Sequence, residues 1–562
     1  MSAWSERAAG WFPLPGVLRA EFRGYAAATL RADVLAGITV AAVALPLALA
    51  FGIASGATAA SGLVTAIIAG LVIGALGGAG YQISGPTGAM SAVLIAVSAR
   101  HGIQGVFVAG LLAGIMIFLL GVFDLGQIVN FIPSAVIAGF TSGIAIIIFV
   151  GQIDNFLGVQ TPPAESTLLK IVEIARHPPA PNWAAVGVGA LVIVLMLMWP
   201  ARWNLRFPAS LLGMILATLV AAVFSLQIPT IGTIPQTILL DDRLQFGSIP
   251  WSALPELIAP ALSIAALGAI ESLLCGTVGG RMIENSPRMD SKQELLAQGV
   301  GNIVLPFFGG VPATAAIARS SVAIKSGGRT RIVSITHSLV LLLALLIAPI
   351  LSRIPMAALA GVLMVTAWRM NEWGEIHDIF GHRFKSAMFA FLTTMFATIA
   401  LDLTQAIILG VALSALIFVF QISRGKVTLS PVTADKMRAA GHDMQSDGTH
   451  MAVIYVVGPL FFGTSPRFEE TTSNLDAYKD VILSLRTTPL LDTTGIGQIE
   501  KLIQDTEARG GRVWLAGLND PVEHYLRRAG LLDHLGPERI HWSAFEAITA
   551  ADHLAAHEGE TA

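Results

Sequence analysis

Charge is what this chain has least of. Only 13% of its 562 residues are Asp, Glu, Lys or Arg, against about 25% in soluble domains. The scarcity is uneven: residues 1–423 are nearly free of long polar stretches, while the chain from Ser423 onward has the mixed composition of a soluble domain. With 54% hydrophobic residues overall, the long first part reads as a polytopic membrane protein. One cysteine, Cys275, excludes an internal disulfide and any cysteine-based metal cage. No basic block points to nucleic acid, and the net charge is only -3. There is no H-E-x-x-H, CxxC, GxSxG or Walker A pattern, hence no assembled catalytic constellation and no ATP motor. The chain is therefore expected to be no enzyme, to need no metal or cofactor, and to draw any work from an ion gradient. Residues 1–31, mixed and amphipathic with Trp4 and Trp11, lack a signal-peptide pattern, so the first hydrophobic helix is expected to be retained.

Apolar runs of helical length begin near Val34, Gly62, Thr87, Val106, Pro133, Ala185 and Ser210, and again near Ile258, Glu294, Ala313, Ile332, Pro355, Ser386 and Gln405. That is seven and seven, with a short member third in each set. With the N-terminus inside, seventeen Lys or Arg residues between Arg7 and Lys426 fall in inner segments. Only five, Arg100, Lys170, Arg176, Arg243 and Arg353, fall outside, as the positive-inside rule requires. An odd number of spans per half turns the second half over, which is the inverted-repeat arrangement. The expected layout is a cytoplasmic segment 1–32, a transmembrane domain 33–423 with repeats 33–227 and 257–423, and a cytoplasmic tail 424–562.

The two short members are the informative ones. Ser84-Gly85-Pro86-Thr87-Gly88-Ala89-Met90 and Gly309-Gly310-Val311-Pro312-Ala313-Thr314 each put Gly and Pro just ahead of a short helix of small residues. Broken backbone at membrane depth is tolerated only inside protein or along a cavity, and paired interruptions mark a transporter's binding site. Both are read as half-helices whose N-termini, with free amides and roughly half a positive charge each, face one shared anion site. Plain Pro/Gly kinks in ordinary spans are the competing reading.

Two charges lie within the apolar spans of the second half. Glu271, in Ala265-Ala266-Leu267-Gly268-Ala269-Ile270-Glu271, is a candidate to carry a coupling proton or ligate sodium, since intramembrane acids are functional by default; a hydrogen-bonded structural Glu is the alternative. Arg319, one or two turns into the second half-helix, is a candidate to set a positive potential or to pair with an acid. His337 is alone in an apolar helix and reads as a packed polar residue, while His377 and His382 share a polar loop. In the tail, strands at 451–457, 481–485 and 512–516 alternate with helices at 466–475, 496–508 and 522–529, a small α/β sheet domain. Thr493 and Thr494 open one of these helices, where their hydroxyls can cap it.

These residues resemble the SulP anion transporter family. Asp33 to Phe51, with Leu45-Pro46, is similar to its first helix, and Gly85-Pro86-Thr87-Gly88 to its third. Lys292-Gln293-Glu294-Leu295, Gly301-Asn302 and Gly309-Gly310-Val311-Pro312 through Arg319-Ser320 are similar to its second-half signature. Leu491-Asp492-Thr493-Thr494-Gly495 and Arg509-Gly510 through Gly517 resemble its STAS domain. The resemblance implies an all-α membrane domain of about fourteen spans in core and gate parts, elevator-like alternating access, and a homodimer in the cell membrane with both termini cytoplasmic. It implies an anion site of Leu47, Phe51, Thr87, Gly88, Ile317, Ala318 and Arg319. Related STAS domains of the anti-sigma antagonist type are phosphorylated at the position of Thr494, and a regulatory protein partner at this domain is implied with it. Leu47 stands where the family often has Gln, leaving an apolar wall suited to an organic anion. The leading expectation is proton-coupled uptake of a small dicarboxylate such as fumarate. Sodium-coupled bicarbonate or sulfate uptake follows, and a membrane sensor or scaffold signalling through the STAS domain is the alternative of another class. Nucleobase carriers share the seven-plus-seven fold, but they tend to place an acid on the tenth helix, where this chain has Arg319.

Overall fold

The structure, a computed structural model, describes residues 13–561 apart from 127–132, 162–166, 201–202, 204–206, 246, 248–253, 284–288, 402 and 440–442. Arg7, Arg202, Arg206 and Arg288, counted above as inner charges, lie outside the described residues, as do Trp4 and Trp11. The chain divides into two compact units, Met1–Ala412 and Leu413–Ala562.

In the first unit a short helix α1 (Leu14–Glu21) precedes the apolar helices. The first half continues with α2 (Ala27–Ala54), α3 (Ala59–Leu76), the two-residue strand β1 (Ser84–Gly85), α4 (Gly88–Val122), α5 (Ser134–Gly151), α6 (Trp183–Met198) and α7 (Ala209–Val223). The second half repeats the order: α8 (Leu254–Arg281), α9 (Ser291–Val304), β2 (Thr314–Ala315), α10 (Ile317–Lys325), α11 (Ile332–Ala344), α12 (Met356–Met370), α13 (Lys385–Ala400) and α14 (Leu403–Ile422), the last of which continues past Ala412 into the second unit. Every apolar run expected from the sequence has a helix at its place. Among the described residues, six helices are long and apolar enough to cross a bilayer by length and composition; several others are shorter. Outward-facing Leu346, Ile350 and Phe396 are exposed, the surface an apolar solvent wants.

Two packing groups emerge. In the first, α4 packs against α8 and α9, and α2 against α3 and α11; in the second, α5 packs against α13, and α6 against α7 and α12. This is the division into core and gate helices. Within α4, Gly102 has φ 65° and ψ -174°, a backbone open only to glycine without strain. Gly88 to His101 is thereby set off as a half-helix. The second half-helix starts at Ile317, four residues later than its apolar run suggested, because Thr314 and Ala315 are extended in β2.

The strands β1 and β2 form an antiparallel pair, Ser84 opposite Ala315 and Gly85 opposite Thr314. Two residues of ladder leave much of this backbone unpaired, and side chains supply the rest. Asn302 receives the Ala313 amide at 2.8 Å and donates to the Ala313 carbonyl at 2.9 Å. Thr65 Oγ1 accepts from the Val311 amide at 2.8 Å, and Ser272 Oγ from the Ala315 amide at 3.2 Å. Gln298 Nε2 reaches Ser84 Oγ at 3.0 Å. At this depth each orphaned backbone group costs several kcal/mol, so these polar side chains are what allows the helices to be broken at all.

The second unit contains a five-stranded sheet of β3 (Lys426–Pro431), β4 (Met451–Val457), β5 (Asp480–Thr487), β6 (Arg512–Ala516) and β7 (Ile540–His541) in that order. The β3–β4 pair is antiparallel and the others parallel. Alternate residues feed opposite faces: Ile454, Leu483 and Leu515 one core, Val453, Ile482 and Trp514 the other, as a period of two requires. The helix after β5, α15 (Thr493–Ala508), is capped by Asp492, whose Oδ1 accepts from the Gly495 amide at 2.7 Å. The threonines therefore do not cap; Thr493 and Thr494 are the first exposed residues of the helix, and the carboxylate before them is the better partner for its positive end. His377 and His382 lie within and at the end of a short helix, Trp373–Gly381, not in a loop.

Asn302→Leu strips both partners from Ala313 while filling similar volume. Two buried groups left unsatisfied cost about 1–3 kcal/mol each, so the thermal midpoint of the purified protein in detergent is expected to fall by several degrees; an unchanged midpoint contradicts this account of β2.

Candidate functional site

The half-helices meet at their N-termini because β1 leads directly into α4 and β2 into α10. Thr87 is the N-cap of α4, its Oγ1 accepting from the Met90 amide at 3.4 Å. The amides of Gly88 and Ala89 on one side, and of Ile317, Ala318 and Arg319 on the other, precede the first intrahelical acceptors. The ends carry the two positive helix poles. Ala316 donates to the Ile83 carbonyl at 2.9 Å, and Ser320 Oγ accepts from the Ile83 amide at 3.0 Å, locking α10 onto the strand that precedes α4.

Gly88 is hemmed in by both packing groups. A Cβ there would lie 2.7 Å from Ile148 Cδ1 on α5, 2.9 Å from the Met370 sulfur on α12 and 3.2 Å from Phe51 Cε1 on α2. Phe51 is buried and Leu47, one turn earlier on α2, is buried also. Of the site residues expected from the sequence, Phe51, Thr87 and Gly88 are thus in one place. Ile317 and Ala318 open α10 with exposed side chains, and their amides head the helix without intrahelical acceptors.

Arg319 is placed differently from the expectation. It is the third residue of α10, in the first turn rather than one or two turns in, and only 1% exposed. One guanidinium nitrogen, Nη2, donates to the Pro86 carbonyl just ahead of α4. A Cβ on Gly85 would lie 2.5 Å from the other, Nη1, which has no partner among the described residues. The side chain therefore ties one broken helix to the other and puts its charge under both, instead of projecting into an open space.

Glu271 on α8 joins the same point. Its Oε2 accepts from Thr87 Oγ1 at 3.1 Å and from Thr314 Oγ1 at 3.0 Å, one hydroxyl from each half of the chain. The residue is half-buried. His337 is fully buried on α11, and neither ring nitrogen has a partner among the described residues. No group of three or more His, Cys, Asp or Glu that could hold a metal is found among the described residues.

Paired broken helices in two repeats, followed along the chain by a sheet domain, are a combination with known counterparts. Residues 30–394 match the sulfate permease family and residues 443–544 the STAS domain. The chain belongs to the sulfate permease family. It is 33% identical over 533 residues to YvdB of Bacillus subtilis, a candidate sulfate transporter, covering 92% of this chain and 97% of that protein. It is 28% identical over 552 residues to the bicarbonate transporter BicA of Synechocystis, covering 94% and 96%. The structure of SLC26A9 superposes with a TM-score of 0.85 at 18% identity, over 99% of this chain and 95% of that one, which shows a shared fold. This family member is accordingly a membrane anion transporter, not an enzyme.

Thr314, Asn302, Ile148 and Met370 were not among the site residues expected from the sequence. Asn302 left a signal, a third side-chain amide after Gln293 and Gln298 on one buried helix; Ile148 and Met370 left none, because an apolar residue in an apolar span carries no mark of what it faces.

If Arg319 supplies the positive potential at these helix ends, Arg319→Ala raises the half-saturating anion concentration about tenfold, the loss of one charge-assisted interaction. Counterflow of labelled anion in proteoliposomes reads this, and an unaltered value removes Arg319 from the site.

Proposed function

We propose that this anion transporter takes up a small carboxylate or dicarboxylate, such as fumarate, together with protons. The observation that supports it best is the junction itself: two helix N-termini joined by β1 and β2, with Glu271 held by a hydroxyl from each half. Free amides at two positive poles replace the hydration of a carboxylate. Phe51 and Leu47 give the site an apolar wall that an organic skeleton fills better than sulfate or bicarbonate. Glu271 takes up the proton that offsets part of the anion's charge, and Arg319 biases the potential.

Residues 33–423 form the transport domain in this reading, and 424–562 the linker and cytoplasmic STAS domain. The core helices slide against the gate helices around Gly88, where Ile148 and Met370 close on the site. The protein works as a homodimer in the cell membrane, with both termini cytoplasmic and no cofactor beyond the ion gradient. Thr494, exposed at the start of α15, is accessible to a kinase or a regulatory partner. A second reading, sodium-coupled bicarbonate or sulfate uptake, has the relatives' names in its favour.

Purified protein in proteoliposomes, offered labelled fumarate, sulfate and bicarbonate under imposed pH or sodium gradients, separates these readings. The expected outcome is pH-driven accumulation of fumarate that Glu271→Gln abolishes while downhill exchange survives. Accumulation driven by sodium alone contradicts the proton reading, and no accumulation of any anion favours a sensor.

A further inference from the structure

The two hydroxyls on Glu271 have a second possible occupation. Thr314 Oγ1 is 3.0 Å from Glu271 Oε2 and 3.1 Å from the Ala315 carbonyl, yet it has one proton and serves one acceptor at a time. Thr87 Oγ1 already accepts from the Met90 amide, so its own proton is the one directed at Glu271. Both hydroxyls sit at the mouths of the half-helices: Thr87 is the residue before Gly88, and Thr314 ends three residues before Ile317. In the proposed function, an anion at the free amides of Gly88 and Ile317 would lie beside them.

We propose that Thr87 and Thr314 are shared donors, bonded to Glu271 while it is ionised and released to the transported anion when it takes a proton. This rests on the reading of Glu271 as the coupling residue. An ionised carboxylate is the stronger acceptor and holds both hydroxyls. A neutral carboxyl has a proton of its own and a weaker claim on theirs. The exchange balances: a proton passes from water on the open side to Glu271, two O–H···O bonds to Oε2 break, and two form to the anion. On the far side the anion leaves, the hydroxyls return to Oε2, and the proton passes to water there. Anion and proton are thereby made to favour each other's binding without touching. The other charged or titratable groups near Glu271 come from three elements. From α10 comes Arg319, whose Nη2 is bonded to the Pro86 carbonyl while Nη1 has no partner among the described residues. On α8 itself, Cys275 donates to Ser320 Oγ. Beyond it on α9, Glu294 accepts from the Gly78 amide and from Gln298. From the start of α4 and from β2, the two threonines are the groups that reach its carboxylate among the described residues.

The test separates a hydroxyl that serves only the carboxylate from one that also serves the anion. In Glu271→Gln the side chain is permanently neutral, so the hydroxyls are already released. Counterflow of labelled fumarate, sulfate or bicarbonate, whichever the wild-type protein exchanges fastest, then gives half-saturation for Glu271→Gln alone and combined with Thr314→Val or Thr314→Ser. The valine double variant is expected to need about tenfold more anion than Glu271→Gln alone, the loss of one hydrogen bond to a charged group. The serine double variant, which keeps the hydroxyl, returns close to Glu271→Gln. Thr87→Val and Thr87→Ser in the same background supply an independent pair should one valine variant fail to fold. Equal half-saturation in the valine and serine double variants, with pH-driven uptake lost in Glu271→Gln, overturns the sharing alone. Persistent pH-driven uptake in Glu271→Gln overturns the coupling reading and the sharing with it.

Discussion

A peptide group at the middle of a bilayer has no water to turn to, and that constraint shapes the membrane unit more than any other. A transporter that holds an anion by backbone amides must leave those amides free of their usual helical partners while keeping every neighbouring peptide group satisfied. The chain does this with a two-residue ladder and three polar side chains, Thr65, Ser272 and Asn302, with Gln298 holding the Ser84 hydroxyl beside them. They complete the breaks on either side of the ladder, so that the amides left over are those of Gly88, Ala89, Ile317, Ala318 and Arg319. The free donors are a residue of the accounting, concentrated at one point.

The same economy explains where the charges go. Glu271 and Arg319 would be costly in an apolar helix, yet both are spent on the junction: the guanidinium bridges α10 to the carbonyl before α4, and the carboxylate collects a hydroxyl from each half. Structural and functional roles coincide here. In the proposed mechanism, the groups that hold the broken helices together are also the ones whose charge the anion meets.

Much of this was legible in the sequence, for physical reasons that can be named. Gly-Pro ahead of small residues in an apolar context has few uses besides a helix start at depth, so both half-helices and their matching positions were visible. Short continuous apolar runs marked β4, β5 and β6, because both faces of that sheet are buried. What the sequence hid is pairing. Nothing in Ser84-Gly85 or Thr314-Ala315 announces that they form a ladder, since two residues carry no period, and the edge strand β3 has no fully buried residue to mark it. Arg319 was visible as a charge but not its direction. Asp492 was passed over as a cap in favour of the threonines beside it, all three being good capping residues whose choice depends on where the helix begins.

The claim on which the rest depends is that a carboxylate rests between the ends of α4 and α10. The most direct measurement is a high-resolution structure of the protein in saturating fumarate. The account predicts density for the anion within hydrogen-bond distance of the Gly88 or Ala89 amide and the Ile317 or Ala318 amide, against Phe51. An anion bound elsewhere, with those amides occupied by protein groups, would contradict it.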